Sequence, residues 1–212
     1  GNLRIRLKKV SLFNTTASVR FGRKPATPPE KEKPESDTVS RTGNWAFDIA
    51  AFNIDHTRLQ YQDDNKPALK KGIDYDHLDI NNLNVKADAL HADPGNYSGN
   101  ISEISLDEKS GLVLKKMSAR AAYTNQLAEL KDLVIQTNHS DIRLQAAFRY
   151  HSPEALAKRP GDTQTGLSFD HSRVGIADLL VFVPGLADQL KGEEQSVLVL
   201  NGKMNEPLKT IQ

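Results

Sequence analysis

The chain has 212 residues, 38% hydrophobic and 26% charged, with 28 basic against 27 acidic side chains for a net charge of +1. That length suffices for one large β domain with a sizeable core or for two small ones, and so balanced a charge leaves no footprint for a nucleic-acid partner. Cysteine is absent, which excludes disulfide frameworks, thiolate metal sites and cysteine nucleophiles, and no stretch approaches the ~20 apolar residues of a membrane-spanning helix.

Residues 1–22 read as one or more N-terminal strands. Leu3, Ile5 and Leu7 alternate with Arg4, Arg6 and Lys8, so one strand face is apolar and the other basic. The basic face is either a solvated surface or, beside a membrane, a contact for anionic headgroups, to which each basic side chain adds about 1 kcal/mol. Residues 23–43, RKPATPPEKEKPESDTVSRTG, hold Pro25, Pro28, Pro29 and Pro34 among mixed charges and no aromatic. Proline removes ladder donors and so polar a stretch buries too little surface to offset its ordering entropy. A mobile loop or linker is expected there, or a long hairpin insertion if the strands on either side pair. The chain opens on Gly1 with no signal-peptide pattern, which reads as a piece of a longer protein.

Residues 44–212 form the main β domain. Trp45, Phe47 and Ile49 alternate, a strand follows from Phe52 to Tyr61, and residues 62–72 make a turn-rich connection. Ile80, Leu83, Ala87 and Leu90 fall at a spacing that also fits a helix face, but Asn81, Asn82, Asn84 and Val85 are poor helix formers, so strands are expected. Pro94-Gly95-Asn96 marks a turn.

The stretch from Tyr97 to Tyr150 carries the clearest signal. Leu112 and Leu114 alternate, then Met117, Ala119, Ala121 and Tyr123, then Leu133 and Ile135, then Ile142, Leu144, Ala146, Phe148 and Tyr150. Between these sets the step slips from two to three, at Ile101 to Ile104, Leu114 to Met117 and Leu130 to Leu133, and earlier at Leu7 to Val10, Ile54 to Thr57 and Ile80 to Leu83. An odd step turns the next apolar set outward unless a β-bulge absorbs the extra residue. Repeated bulges predict a sheet that curls.

After Tyr150, Ser152 with Pro153 behind it opens one short helical turn, and strand character returns at Leu167 to Phe169. Ile176, Leu179, Leu180, Val183, Leu186 and Leu190 have helical spacing interrupted by Pro184, giving two short helical turns with a break. The closing SVLVLNGKM is apolar at consecutive positions, the pattern of a strand covered on both faces. The fold class is therefore mainly β: a curled antiparallel sheet, groove- or taco-like, with one or two short helices near the C-terminal end.

The densest polar cluster is Asp74-Tyr75-Asp76-His77-Leu78-Asp79. Alternate carboxylates beside a histidine suit a hard cation, but the glycine and downstream glutamate of a calcium loop are missing. A polar turn or strand start is expected, with His77 pointing away from Asp74 and Asp76, and no metal site. Histidines 56, 77, 91, 139, 151 and 171 form no metal-binding motif, and Ser140 and Ser172 sit beside His and Asp without a nucleophile elbow. No catalytic residue and no cofactor are expected.

What remains is the apolar face. Such a face ordinarily packs against a second sheet or a helix, yet the chain offers few helical segments and only 6% aromatic residues. Both suit a curled sheet lined by aliphatic side chains, leaving a groove for acyl tails. The candidate lining residues are Leu78, Ile80, Leu83, Val85, Ile101, Ile104, Leu106, Leu112, Leu114, Met117, Leu133, Ile135, Ile142, Leu144 and Phe148. The alternative is a closed β-sandwich or solenoid scaffold that offers edge strands to a protein partner.

Four segments carry a resemblance: Phe52-Asn53-Ile54-Asp55-His56-Thr57-Arg58-Leu59-Gln60-Tyr61-Gln62-Asp63, KSGLVLKKMSARAAYT from Lys109, LAELKDLVIQTNHSDIRLQAAFRY from Leu127, and ADLLVFVPGL from Ala177. Together, over roughly residues 45 to 205, they resemble the AsmA/TamB family of envelope proteins, the translocation and assembly modules. The resemblance implies a segment of a long, taco-shaped β structure in the periplasm, bridging inner and outer membranes, that shields phospholipid acyl chains in transit and supports outer-membrane assembly. It implies phospholipid acyl chains, flanking segments of the same longer chain and outer-membrane assembly proteins as partners, and an inner-membrane anchor on a segment absent here. It supplies no catalytic residue. The proline-rich stretch at 23–43 departs from the family pattern and puts in question whether the first strand joins the same sheet.

Overall fold

In the computed structural model, which describes residues 3–23 and 45–210, period-two alternation produces long strands, the expected three-residue steps from Ile54 onward produce bulges, and the step from Leu7 to Val10 is a break between two strands. Three short strands, β1 (Leu3–Leu7), β2 (Val10–Phe13) and β3 (Thr16–Phe21), run along one long strand, β4 (Trp45–Asp63). Then follow β5 (His77–Asp93), β6 (Asn96–Glu108), β7 (Val113–Tyr123), β8 (Leu127–Gln136), β9 (Asp141–Arg149), β10 (Gln164–Gly175) and β11 (Val197–Pro207). From β4 to β11 each strand pairs antiparallel with the next, giving a single open, curled 11-stranded sheet.

The N-terminal edge differs from the expected all-antiparallel arrangement, because β1, β2 and β3 all pair with β4 in parallel. Leu3 lies opposite Trp45, Val10 opposite Phe52 and Thr16 opposite Arg58, a constant offset of 42 residues, so the three pieces are one interrupted ribbon. The first strand does join the main sheet. Parallel pairing also means that the ribbon and β4 are not arms of a hairpin. The linker expected over residues 23–43 lies, apart from Arg23, outside the described residues.

Bulges on β4 and β5, and on β6 and β7, come in compensating pairs. On β4 the step Ile54 to Thr57 spans the two-residue step Val85 to Leu83 on β5, and Thr57 to Leu59 then spans the three-residue step Leu83 to Ile80. The same exchange occurs between β6 and β7, where Ile101 to Ile104 faces Ala119 to Met117 and Ile104 to Leu106 faces Met117 to Leu114. On β8, Leu130 to Leu133 faces Ala146 to Leu144 of β9. At several bulges a residue takes the left-handed conformation: His56 (φ 46°), Asn82 (φ 51°), Ala89 (φ 49°), Asp132 (φ 51°) and His171 (φ 46°). Asn, Asp and His tolerate that region better than other side chains. The interrupted ladder is repaired by side chains: Asn84 Oδ1 accepts the His56 N–H at 3.0 Å, and the buried Ser172 hydroxyl takes the Arg143 N–H and donates to the Arg143 carbonyl, both at 2.8 Å.

Both short helices form where their signals place them. Helix α1 (Pro153–Lys158) starts at Ser152, whose side chain accepts from the Ala155 N–H at 3.1 Å. Helix α2 (Ile176–Phe182) ends before Pro184, which opens a 3₁₀ turn. Helix α2 bridges distant parts of the sheet: buried Asp178 accepts from the Thr137 and Ser140 hydroxyls of the β8–β9 turn, and the Val181 carbonyl accepts the Ile73 N–H at 2.9 Å from the β4–β5 connection. The curl thus brings the β4–β5 and β10–β11 connections into contact, although their strands lie far apart in the sheet.

One expectation fails at the far edge. The apolar run opening β11 is not covered on both faces: Val197, Leu198, Val199 and Leu200 are 38%, 47%, 68% and 37% exposed. The strand pairs only with β10 among the described residues, none of which forms a second layer over it.

Candidate functional site

Cross-strand partners share a face of the sheet, so the register traces that face without ambiguity. Leu12, Ile54, Val85, Ile104, Met117, Ile135 and Ile142 form one unbroken aliphatic row, each opposite the next, from β2 to β9. A second row on the same face runs Ile5, Phe47, Ala92, Tyr97, Tyr123, Ala128 and Phe148. Where a three-residue step faces a two-residue step the bulge absorbs the extra residue, and where it faces another three-residue step, as Leu7 to Val10 faces Ile49 to Phe52, both strands turn together, so the inward side stays inward.

Fourteen of the fifteen residues expected to line the apolar face lie on it: Leu59 faces Ile80, Tyr61 faces Leu78, Thr57 faces Leu83, Leu106 faces Leu114 and Leu133 faces Leu144. Leu112 is the exception; it sits in the β6–β7 turn and is buried there. Of the fourteen, only Leu133 is buried, and the others remain partly open to solvent. The largest fully buried side chains among the described residues are Thr163, Thr165 and Ser172, none of them apolar and large. An ordinary closed core buries its Leu, Ile and Phe side chains completely, and this face does not.

A concavity of ≈ 560 Å³ lies at the end of the face where β4 begins and β5 ends, bordered by Phe47, Ile49, Leu90, Tyr97, Ile101, Ala121, Tyr123, Leu130 and Phe148 among others. That volume lies within the roughly 300–1,000 Å³ of ordinary ligand pockets. Only Ile101 and Phe148 belong to the expected set. Sequence reasoning missed the rest because the floor is built of small residues with weak hydrophobic signal: Gly99, Ala92, Ala121 and Ala128. The available sign was that alternation continues past the bulges, through Phe47 and Ile49 and through Ala128 and Leu130. Gly99 has a steric reason, since a Cβ there would lie 2.4 Å from Leu90 Cδ2. Tyr97 and Tyr123 flank the floor with ring centroids 5.8 Å apart, and Tyr150 continues the stack at 6.4 Å.

The outer face is polar and laced by cross-strand ion pairs. Arg58 grips Asp79 at 2.7 Å, Lys86 meets Glu103 at 2.7 Å, and Arg120 pairs with Asp132. Asp48 receives Arg4 at 2.6 Å and the His91 ring at 2.8 Å, while His91 also reaches Asp93 at 3.1 Å. The hydrogen bonds from Arg4 and then His91 pull the Asp48 carboxyl down to about 2. Those to Asp48 and then Asp93 raise the His91 imidazole above its ordinary value.

The sequence-level polar candidates have structural duties. Asp74 is buried in the turn before β5 and accepts the Leu69 N–H at 2.8 Å and the Asp76 N–H at 3.2 Å. Its partner is His77, whose Nδ1 lies 2.9 Å away, so His77 turns toward Asp74 rather than away; the residues form a turn, where strand alternation does not apply. Burial pushes the Asp74 carboxyl up, but the Leu69 N–H and the His77 ring outweigh it and leave it below the ordinary range. Ser140 donates to Asp178 and accepts the Gly175 N–H at 3.0 Å. Ser172 spans the β10 bulge as described. Neither serine has a histidine hydrogen-bonded to its hydroxyl.

Comparison with protein-family models, with curated proteins and with solved structures finds no match.

Proposed function

We propose that the curled apolar face is a trough for lipid acyl chains, and that the chain is a non-enzymatic segment of a bridge-like periplasmic protein. In this reading it shields phospholipid tails moving between the inner and outer membranes and supports outer-membrane assembly. The observation that carries the reading is the uncovered aliphatic face, unbroken across seven strands and lined by side chains that stay partly exposed. Tails laid there gain about 25 cal/mol per Å² of apolar surface withdrawn from water, while headgroups stay in solvent. The resemblance to AsmA/TamB proteins supports the same reading and supplies its setting: a full-length protein held in the inner membrane by a segment outside this sequence, with outer-membrane assembly proteins as partners. Flanking segments of the longer chain would prolong the trough at the open β11 edge, where Val199 is 68% exposed.

Native mass spectrometry of gently purified protein tests the reading. Reproducible phospholipid adducts are expected, and they should disappear in folded Leu114→Glu and Leu144→Glu variants, which set a charge on the trough floor. Wild-type protein that never carries lipid, or folded variants that carry it as before, would overturn it.

A further inference from the structure

The net charge of +1 conceals a sharp division. Residues 1–23 hold six basic side chains and no acidic one, residues 24–44 hold four of each sign, and residues 45–212 hold 18 basic against 23 acidic. The fold gathers the unopposed positive charge onto one place, the β1–β3 ribbon at the edge of the sheet. Arg4 and Arg20 are partly neutralised by Asp48 and Asp64, at 2.6 Å and 2.9 Å. Among the described residues Lys8, Lys9 and Arg23 are exposed with no acidic partner within ion-pair distance.

The same ribbon holds an unusual share of exposed apolar side chains: Leu3 at 60%, Phe13 at 55%, Phe21 at 53% and Val19 at 49%. Basic and aromatic groups interleaved on an exposed element suit an anionic bilayer, where the cations meet headgroups and the rings enter the interface. The edge is poorly made for a protein strand. It is broken after Leu7 and after Phe13 into pieces of five, four and six residues, and short, kinked, lysine-bearing edges discourage strand addition.

We infer that the β1–β3 ribbon is a docking surface for an anionic membrane. The inference stands apart from the trough, since surface binding needs no acyl chain in the groove. Docked this way, the ribbon sets one margin of the apolar face against the bilayer, because Leu7 and Lys8 border the same cavity as Ile49 and Leu90.

Co-sedimentation of the full chain with phosphatidylcholine vesicles, with and without about 30% phosphatidylglycerol, tests it. Binding is expected only to the anionic vesicles, and it should fall steeply between 0.15 M and 1 M salt as the screening length shortens from about 8 Å to about 3 Å. Replacing Lys8, Lys9 and Arg23 together by Gln should weaken partitioning roughly 100-fold, near five-fold for each basic residue. Phe13→Ser should weaken it further, whereas Lys115→Gln, Lys116→Gln and Lys191→Gln together should leave it unchanged. All these side chains are exposed, and unchanged circular dichroism confirms that each variant is folded. No binding to anionic vesicles, equal loss in the two triple variants, or binding to heparin that matches vesicle binding and ignores Phe13→Ser would overturn the inference. Trough function is read separately, by lipid co-purification.

Discussion

Placing a phenyl ring at Ala121 separates an open trough from a packed core. Ala121 lies opposite Gly99 on one side and Leu130 on the other and borders the ≈ 560 Å³ concavity. Two residues away on the same strand and face, Ala119 is only 4% exposed. Ala119→Phe overpacks a filled site and should cost about 1–3 kcal/mol, lowering the urea midpoint by about 1 M at a slope near ~2 kcal/mol/M. Ala121→Phe points its ring into open space and should leave the midpoint unchanged. On the proposed lipid-carrying reading, however, that ring displaces about four acyl methylenes at ~0.8 kcal/mol each. The loss of about 3 kcal/mol corresponds to roughly 150-fold weaker affinity for a fluorescent long-chain fatty acid. Urea titration followed by fluorescence and a displacement assay with that fatty acid measure both quantities. If Ala121→Phe unfolds as readily as Ala119→Phe, the face is packed; if it folds and binds with wild-type affinity, acyl chains do not lie there.

Further expectations concern the scaffold. Asp178→Ala removes the acceptor shared by Thr137 and Ser140, and with hydrogen bonds to a charged group contributing about 1.5–3 kcal/mol each, a loss of at least about 3 kcal/mol is expected in urea unfolding; a loss below about 0.5 kcal/mol would contradict the bridging role of α2. Ala89→Gly relieves a left-handed alanine (φ 49°), so a net gain of about 0.5–1 kcal/mol is expected after glycine's own entropy cost, and a destabilised variant would refute the strain. An NMR titration of His91 should give a midpoint above 6.5 because Asp48 and Asp93 hold its proton, and a midpoint at or below 6.5 would contradict that geometry. The stabilisation this histidine lends the β1–β4–β5 ladder is complete below pH 6.5 and fades as pH rises through the elevated value. The Asp48 contribution has the opposite sense: it is present above the ordinary 3.8 and fades as pH falls toward about 2. Protection factors in β1, which take out the intrinsic base catalysis of amide exchange, should therefore fall on the alkaline side in wild type and lose that dependence in His91→Gln.

The curl was legible because its cause is local. The three-residue steps from Ile54 onward are bulges in the sheet, that from Leu7 to Val10 is a strand break, and the lining set read from alternation falls on one face apart from Leu112, whose apolar side chain serves a turn. The third position of these steps holds a further sign. His56, Asn82 and Asp132 occupy it with left-handed backbone, and the same figure marks His171 between Phe169 and Ser172 and Asn14 between Leu12 and Thr15. The parallel edge was not legible, since pairing direction leaves no trace in the alternation of β1–β3 or β4. The concavity at Gly99 and Ala121 escaped because these residues carry little hydrophobic signal, though their smallness is what leaves the space. In β11, consecutive apolar residues signify an uncovered edge as readily as a buried strand, and only the neighbours decide which.

Compensated bulges give this architecture a modular grammar. Register is restored within the β4–β5 and β6–β7 hairpins, so a pair of strands built on that pattern and added at the free β11 margin would bend without disturbing the strands before it. Deleting a single residue from a regular stretch, such as Val134 between Leu133 and Ile135, would do the reverse, turning Leu133 and Leu130 to the wet side of the sheet and cutting the greasy lining at that strand. Length is thus cheap to vary in such a structure, whereas parity within each strand is not.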